Sequence, residues 1–390
     1  MRKVMLTAVA LAGAVSITAC NANTNGTVTT TEVQETMTET DEANENAEDE
    51  EERESGTEDS DTLVIAEQGT FTAGGRVTTS EGTFDPVDQM NPQGQTIHDG
   101  HASVFYQIPE GARDTNLVFL HGSGQSRVCW QTTADGREGF DTLFMRKGYG
   151  VYLIDQPGRG EAGQTANPVE VSGETQDQNW YTQFRIGLYP ERYEGSQFPE
   201  GEEALDQFFR QMTPNTGNYS FEEIADAVSA VFDESGPGVL VSHSAGGYPG
   251  WLTAIENENV EGVIAIEPGF FVFPEDEMPE VIPNNYADLP GMPVSEEEFQ
   301  RLTEIPIVVY YGDNIPEEPS DIPANDFWRA ELEMAYRWQE VVNAHGGDVT
   351  IVHLPDEGIT GNTHFMFSDL NNQVIADHMA NWLEEKGLDS

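Results

Sequence analysis

"GVLVSHSAGGYPGW", residues 238–251, opens as a β-branched apolar run, bends at a Ser flanked by small residues and continues into a helix-forming stretch. A continuous apolar run bounded by a turn reads as a strand covered on both faces. In sheets built from such strands, ligands collect outside the carboxyl ends. The residues that follow each apolar run are therefore where function is to be sought.

Working outward, the same alternation recurs. "TLVIAEQGTFTAGG" and "ASVFYQIPEGA" alternate in polarity and contain Gly or Pro breaks, which suggests two antiparallel strands at a sheet edge. "TNLVFLHG", "GVYLIDQPGRG", "GVIAIE", "IPIVVYYGD" and "DVTIVHL" read as further strands. Helical patterns separate them: "GFDTLFMRKGYG", "SFEEIADAVSAVFDES", a long helix over about 326–344 and a last one over about 370–386. Two strands followed by repeated strand–helix units imply an α/β fold, one mostly parallel sheet with helices on both faces. The pattern lapses over 161–219 and again over 268–303. Both stretches are too long for simple loops and are expected to form cap insertions over the cleft, with Trp180, Tyr181, Phe184, Phe270 and Phe271 as candidates either for apolar lining or for cap core.

The strand ends carry the chemistry. Ser242-His243-Ser244-Ala245-Gly246 fits a nucleophile elbow, a strained strand-to-helix turn; the position two before the nucleophile, usually Gly, is here the small Ser242. The bend exposes the Ser244 hydroxyl and aims the Ala245 backbone N–H, at a helix start, toward developing negative charge. After "LVFL" comes His121-Gly122-Ser123-Gly124, a turn of the kind that presents a second oxyanion donor, here the Ser123 N–H. Of eight His residues, His364 in "GITGNTHFMF" lies between the final strand and the final helix, where chain order expects the general base. Glu267 and Asp313 both end apolar strands and both could orient that imidazole. Glu267 is favoured, because a lone carboxylate closing a buried strand is costly unless it is paired.

These segments together resemble the α/β-hydrolase superfamily and, more narrowly, a bacterial secreted esterase family whose acid is a Glu after strand six. The matching text is "LVFLHG", "TTADGREGFDTLFMRKGYGVYLIDQPGRG", "FRIGLYPERYEGSQFP", "VLVSHSAGGYP", "IEPG", "GDN" and "GNTHFMFSDLNNQVIADH", spread over most of residues 110–385. The resemblance implies Ser244 as nucleophile, Glu267 as acid, His364 as base, and Ser123 with Ala245 as oxyanion donors. Some family members have cysteines directly after the His-Gly turn, where this chain has Ser123-Gly124. The expected activity is hydrolysis of a small-molecule carboxylic ester through an acyl-enzyme, with no metal or organic cofactor. Thioester, lactone and amide cleavage use the same groups. A non-catalytic surface lipoprotein binding a ligand in the same cleft is the rival from another class, and the complete set of Ser, His and acid argues against it.

The N-terminus adds an address. Arg2 and Lys3, the apolar "VMLTAVALAGAVSIT" and the closing "ITAC" read as an export signal over residues 1–20. "ITAC" resembles the bacterial lipobox, which makes Cys20 the lipidation site and the cell envelope the expected location. The membrane is then met through the lipid alone. Residues 21–62, polar and acidic with almost no large apolar side chain, are expected to be a disordered acidic tether to a hydrolase domain over 63–390. Cys129 is the only other thiol, so the monomer has no disulfide framework once Cys20 is acylated. If Cys20 carries the lipid, native protein will need detergent for extraction and Cys20→Ser will release it. A mature N-terminus elsewhere, found by mass spectrometry, would refute the anchor.

The formal net charge of −53 belongs to the fold as well as the tail: from residue 63 on there are roughly 55 acidic against about 14 basic residues. Such a surface opposes nucleic acid and anionic headgroups, and its scarcity of Lys resembles halophilic proteins. Self-repulsion of this kind weakens the folded state. At about 1 M ionic strength the screening length falls to about 3 Å, so the melting temperature is expected to rise between dilute and molar salt. The rise should be similar in NaCl and in a weakly salting-out salt at equal ionic strength. A melting temperature indifferent to salt would sink the halophilic reading.

Overall fold

The main sheet has eight strands: β1 Ile65–Thr79, β2 Thr96–Pro109, β3 Asn116–Leu120, β4 Gly150–Asp155, β5 Gly238–His243, β6 Val260–Ile266, β7 Pro306–Tyr311 and β8 Asp348–His353. Their spatial order is β1-β2-β4-β3-β5-β6-β7-β8. β1 pairs antiparallel with β2, and β2 antiparallel with β4; every later pairing is parallel. This is the mostly parallel α/β sheet that the alternation of runs implies. The structure, a computed structural model, describes residues 62–173 and 176–390. Cys20 and most of the expected tether lie outside the described residues.

The central strands are apolar on both faces, and side-chain alternation divides them between two cores. Val118, Leu120, Leu240, Val263, Ala265, Ile307 and Val309 face one core; Leu117, Phe119, Val239, Val241, Ile264, Ile266 and Val308 face the other. Helices α4 (Phe221–Ser235), α5 (Gly247–Glu256) and α7 (Pro323–Ala344) contribute side chains to the first; α1 (Phe140–Met145) and α8 (Asn372–Glu385) contribute to the second. Each helix is bounded by local chemistry. In α4, Ser220 accepts from the Glu223 N–H, Glu222 and Glu223 occupy the positive first turn, and Gly236 at φ 77° ends the helix. Pro323 at the start of α7 needs no intrahelical donor.

Helix α5 is the one that decides the site, and its glycines are costly to helix stability. They are there for approach. A Cβ at Gly247 would lie 2.4 Å from the Cβ of Pro268, and one at Gly250 would lie 3.3 Å from Leu240 and Ser242. The small residues let the helix start directly against β5 and against the turn that follows β6.

The two irregular stretches fold differently from each other. Within 161–219 are α2 (Asp177–Gln183), a short hairpin (Gly187–Leu188 with Glu191–Arg192) and α3 (Glu202–Gln211). Their aromatics Phe184, Phe198 and Phe208 interlock with one another and with Phe365, in the loop after β8. Within 268–303, Val272–Pro274 pairs parallel with Met292–Val294, and α6 (Glu296–Leu302) follows. Phe271 is fully buried between Trp251 and Trp338, so it is core and not cleft lining.

Candidate active site

Parallel register brings four strand ends to one rim. Leu120 is level with Ser242, His243 with Ile266, and Ile266 with Tyr310. His121, Ser244, Glu267 and Gly312 therefore follow one another across the edge of the sheet. His364 reaches the same rim from the loop between β8 and α8.

The backbone there is strained. Among the described residues, the non-glycine residues with positive φ are Arg185, Ser244, Glu267, Phe270 and Asn314. All five belong to the site or to segments bounding it. Such conformations cost of order 1–3 kcal/mol each and persist only where surrounding structure holds them. At Ser244 (φ 52°) the strain is that of the sharp turn between β5 and α5. Ser244 and Ala245 are partly exposed while their neighbours are buried.

The two candidate oxyanion donors lie on adjoining turns. A Cβ at Gly122 would come within 2.7 Å of the Ser244 Cβ, so only Gly allows the turn after β3 to sit against the elbow. The backbone N–H groups of Ser123 and Ala245 donate to no acceptor among the described residues. His121 fixes the turn: its Nδ1–H donates to the Gly122 carbonyl at 3.0 Å, and its Nε2 faces the Gln156 N–H at 3.4 Å. Burial, aided by Arg159, lowers the His121 pKa to about 3, so it stays neutral. Thr213, from the insertion, donates to the Gly124 carbonyl at 2.9 Å.

Glu267 and His364 are both buried, and the imidazole Nδ1 lies 2.5 Å from Glu267 Oε2. Two other donors hold the carboxylate. Arg185 is bidentate, with Nη1 2.9 Å from Oε2 and Nη2 bonded to Oε1, and the Gly312 N–H donates to Oε1 at 2.8 Å. Burial alone would raise the carboxyl pKa; the charges of Arg185 and His364 and their hydrogen bonds outweigh it and hold Glu267 well below the usual carboxylate range. Burial lowers the His364 pKa, with Glu267 opposing and Arg185 assisting. The imidazole is thus neutral near pH 7, protonated on Nδ1, with Nε2 as its basic nitrogen. Ser244 Oγ and His364 Nε2 are not hydrogen-bonded here, a contact that commonly tightens only in the substrate complex.

Asp313, the alternative acid, serves the loop. Its Oδ2 accepts from the Gly361 N–H at 2.7 Å, and its own N–H donates to the Asn362 carbonyl at 2.8 Å. Asp369 holds the next residues, accepting from the Thr363 N–H at 2.7 Å and the Thr363 hydroxyl at 2.9 Å. His243, adjacent to Ser244 in the chain, lies on the face opposite α5, against Trp130, Phe365 and Phe367, and still touches the site. Its ring is 4.4 Å from that of His364, and its Nε2 lies 3.0 Å from the His364 carbonyl oxygen. Arg185 went unrecognised in the sequence. The one available signal was a lone Arg in "TQFRIGLYP" in a chain with few cations. Among the described residues no group of three or more His, Cys, Asp or Glu could hold a metal ion, and no helix is long and apolar enough to cross a membrane.

The fold and this rim of strand ends define an α/β hydrolase. The chain belongs to that family: the model described as "Alpha/beta hydrolase family" matches residues 117–376. It is 29% identical to a solved structure titled a novel bacterial esterase, over 83% of this chain and 97% of that one, with a TM-score of 0.67. It is also 27% identical over 304 residues to "Probable secreted lipase phiG" of Fungal sp. (strain ATCC 74256), covering 69% of this chain and 82% of that protein.

The contrast between the two carboxylates is testable. Glu267→Gln is expected to depress kcat by about 10⁴-fold, because an amide favours the wrong imidazole tautomer. Asp313→Asn is expected to leave kcat of the folded protein near wild type and to lower the melting temperature. The opposite pairing of results would make Asp313 the acid.

Proposed function

We propose that this chain is a serine hydrolase that cleaves small-molecule carboxylic esters through an acyl-enzyme. The observation that carries the reading is the His364–Glu267 hydrogen bond, at the rim where Ser244 stands beside two unpaired backbone N–H groups. The esterase and lipase relatives support the ester as substrate class.

In this reading Ser244 Oγ attacks the ester carbonyl while His364 Nε2 takes its proton. The Ser123 and Ala245 N–H groups stabilise the oxyanion of the tetrahedral intermediate. The imidazolium then protonates the departing alkoxide, which leaves as the alcohol and completes the acyl-enzyme. A water gives its proton to Nε2 as it attacks the acyl carbon, and collapse returns the proton to Ser244 and releases the acid. Glu267 stays ionised throughout and holds Nδ1–H, which fixes the tautomer and stabilises the imidazolium. The insertion at 161–219 serves as a cap, with Trp180 and Phe184 stacked at 5.1 Å beside His364. The exported, Cys20-anchored organisation of residues 1–62 belongs to the same proposal.

The test combines a covalent probe with a variant. A fluorophosphonate is expected to label wild-type protein at Ser244, and Ser244→Ala is expected to lose labelling and roughly 10⁴-fold or more of ester turnover while keeping its melting temperature. A variant with near wild-type turnover would end the serine-hydrolase reading. A panel of esters of graded acyl length, with matched thioesters, lactones and amides, would rank the substrates.

A further inference from the structure

Three consecutive residues of the 161–219 insertion grip the Glu267–His364 pair from outside the sheet. The Gln183 carbonyl accepts from the Trp328 indole N–H at 2.7 Å. The Phe184 carbonyl accepts from the His364 backbone N–H at 3.0 Å, and its ring lies parallel to the imidazole, with 5.4 Å between centroids and 14° between planes. Arg185 is fully buried, has a positive φ of 56°, engages both Glu267 oxygens and donates through Nε to the Asp313 carbonyl at 2.9 Å. Trp328 closes the arrangement: the guanidinium carbon lies 5.0 Å from its ring centre, and its ring lies 4.4 Å from the imidazole.

We infer that Gln183-Phe184-Arg185 is a clamp that makes the insertion part of the catalytic apparatus, with Arg185 as a positioning residue that fixes the Glu267 carboxylate and restrains proton uptake by the Glu267–His364 pair. The inference rests on the reading of Ser244, Glu267 and His364 as a triad. Its physics is that of a buried three-body system. A carboxylate free to turn could meet His364 with either oxygen and at several angles; a planar fork on both oxygens, with the Gly312 N–H as a third donor, leaves one orientation. The charge has a second effect. With Arg185 present the resting group Arg⁺–Glu⁻–His is neutral, and adding a proton to the pair makes it positive in a buried place. Removing the guanidinium makes protonation of the pair easier whether the proton settles on Glu267 or on His364, since the two titrate as one unit.

The other groups facing the imidazole do not supply this charge. His243 from β5 is held neutral by burial. Asp313 after β7 and Asp369 in the loop itself bond to the loop, at Gly361 and at Asn362 and Thr363. From α7 the neighbour is the uncharged Trp328.

Arg185→Gln and Arg185→Lys separate the two effects. Active sites are first counted by complete fluorophosphonate labelling, and turnover of a p-nitrophenyl ester is expressed per labelled site as a function of pH. Arg185→Gln is expected to lower kcat by at least about tenfold with little change in KM, and to move the acid limb of kcat/KM upward by about one pH unit or more, the scale of losing a charge within a few Å. Arg185→Lys keeps the charge but loses the fork, so kcat should fall while the acid limb stays closer to wild type. The downfield imidazole N–H proton resonance, which reports the Nδ1–H···Glu267 bond, should broaden or shift in both. If either variant folds and shows wild-type kcat per labelled site, an unmoved limb and an unmoved resonance, Arg185 is a structural ion pair only and the inference falls. Should Arg185→Gln not fold, Arg185→Lys alone decides through kcat and the resonance. Failure of the triad reading itself would look different: wild-type protein would not label at Ser244.

Discussion

A carboxylate at the end of a buried parallel strand needs its charge answered on the spot. An unpaired ion there costs several kcal/mol, and no solvent reaches Glu267 to share the load. Arg185 on one side and the Gly312 N–H on the next strand end supply the answer, leaving one face of the carboxylate for His364. The rest of the site follows from that constraint. The loop after β8 must bring an imidazole to one spot, and Asp313 and Asp369 bind its backbone so that it does. The insertion must deliver a guanidinium to the same spot, and its interlocked aromatics give it a fixed base against Phe365.

Much of this is legible in the sequence, and the legible part shares one property. Ser244, Glu267, His121 and Asp313 each stand at the end of an apolar run, and position along a parallel strand fixes position in space to within one residue. His364 is legible through chain order. The fold was readable for the same reason, since period-two and period-3.6 patterns are local and the order of strands and helices restricts topology. Arg185 has neither property. It lies 82 residues before its partner, in a segment without sustained period, and nothing about "QFRIG" says that its guanidinium will be fully buried. The residues at 268–303 pose the same difficulty in reverse: Phe270 and Phe271 read alike in sequence, yet one is half-buried against Phe221 while the other fills the core with Trp251 and Trp338.

The strain at the rim fits the same picture. Among the described residues, the five non-glycine residues in the left-handed region persist only because each is held by independent contacts. Ser244's carbonyl takes the Gly269 N–H at 2.8 Å, Glu267's N–H donates to the Tyr310 carbonyl at 2.9 Å, and the Phe270 carbonyl takes the Trp251 indole N–H at 3.1 Å. A stiff rim is what oxyanion stabilisation needs, since donors that are already oriented lose nothing to reorganisation as charge develops.

The scarcity of cations sharpens the point. The chain has 17 Lys and Arg against 70 Asp and Glu. Several of the arginines are nonetheless used inside. Arg185 holds Glu267; Arg329 pairs with Asp326 and reaches the Pro283 carbonyl; Arg159 reaches the Thr213 carbonyl. Mobile ions screen charges that face water and hardly touch those that do not. The surface field of this protein is therefore set by its surroundings, whereas the field at His364 is set by the chain itself, by one buried guanidinium and the carboxylate it holds. In the proposed triad, then, the charges that face His364 lie out of reach of the mobile ions that screen the surface.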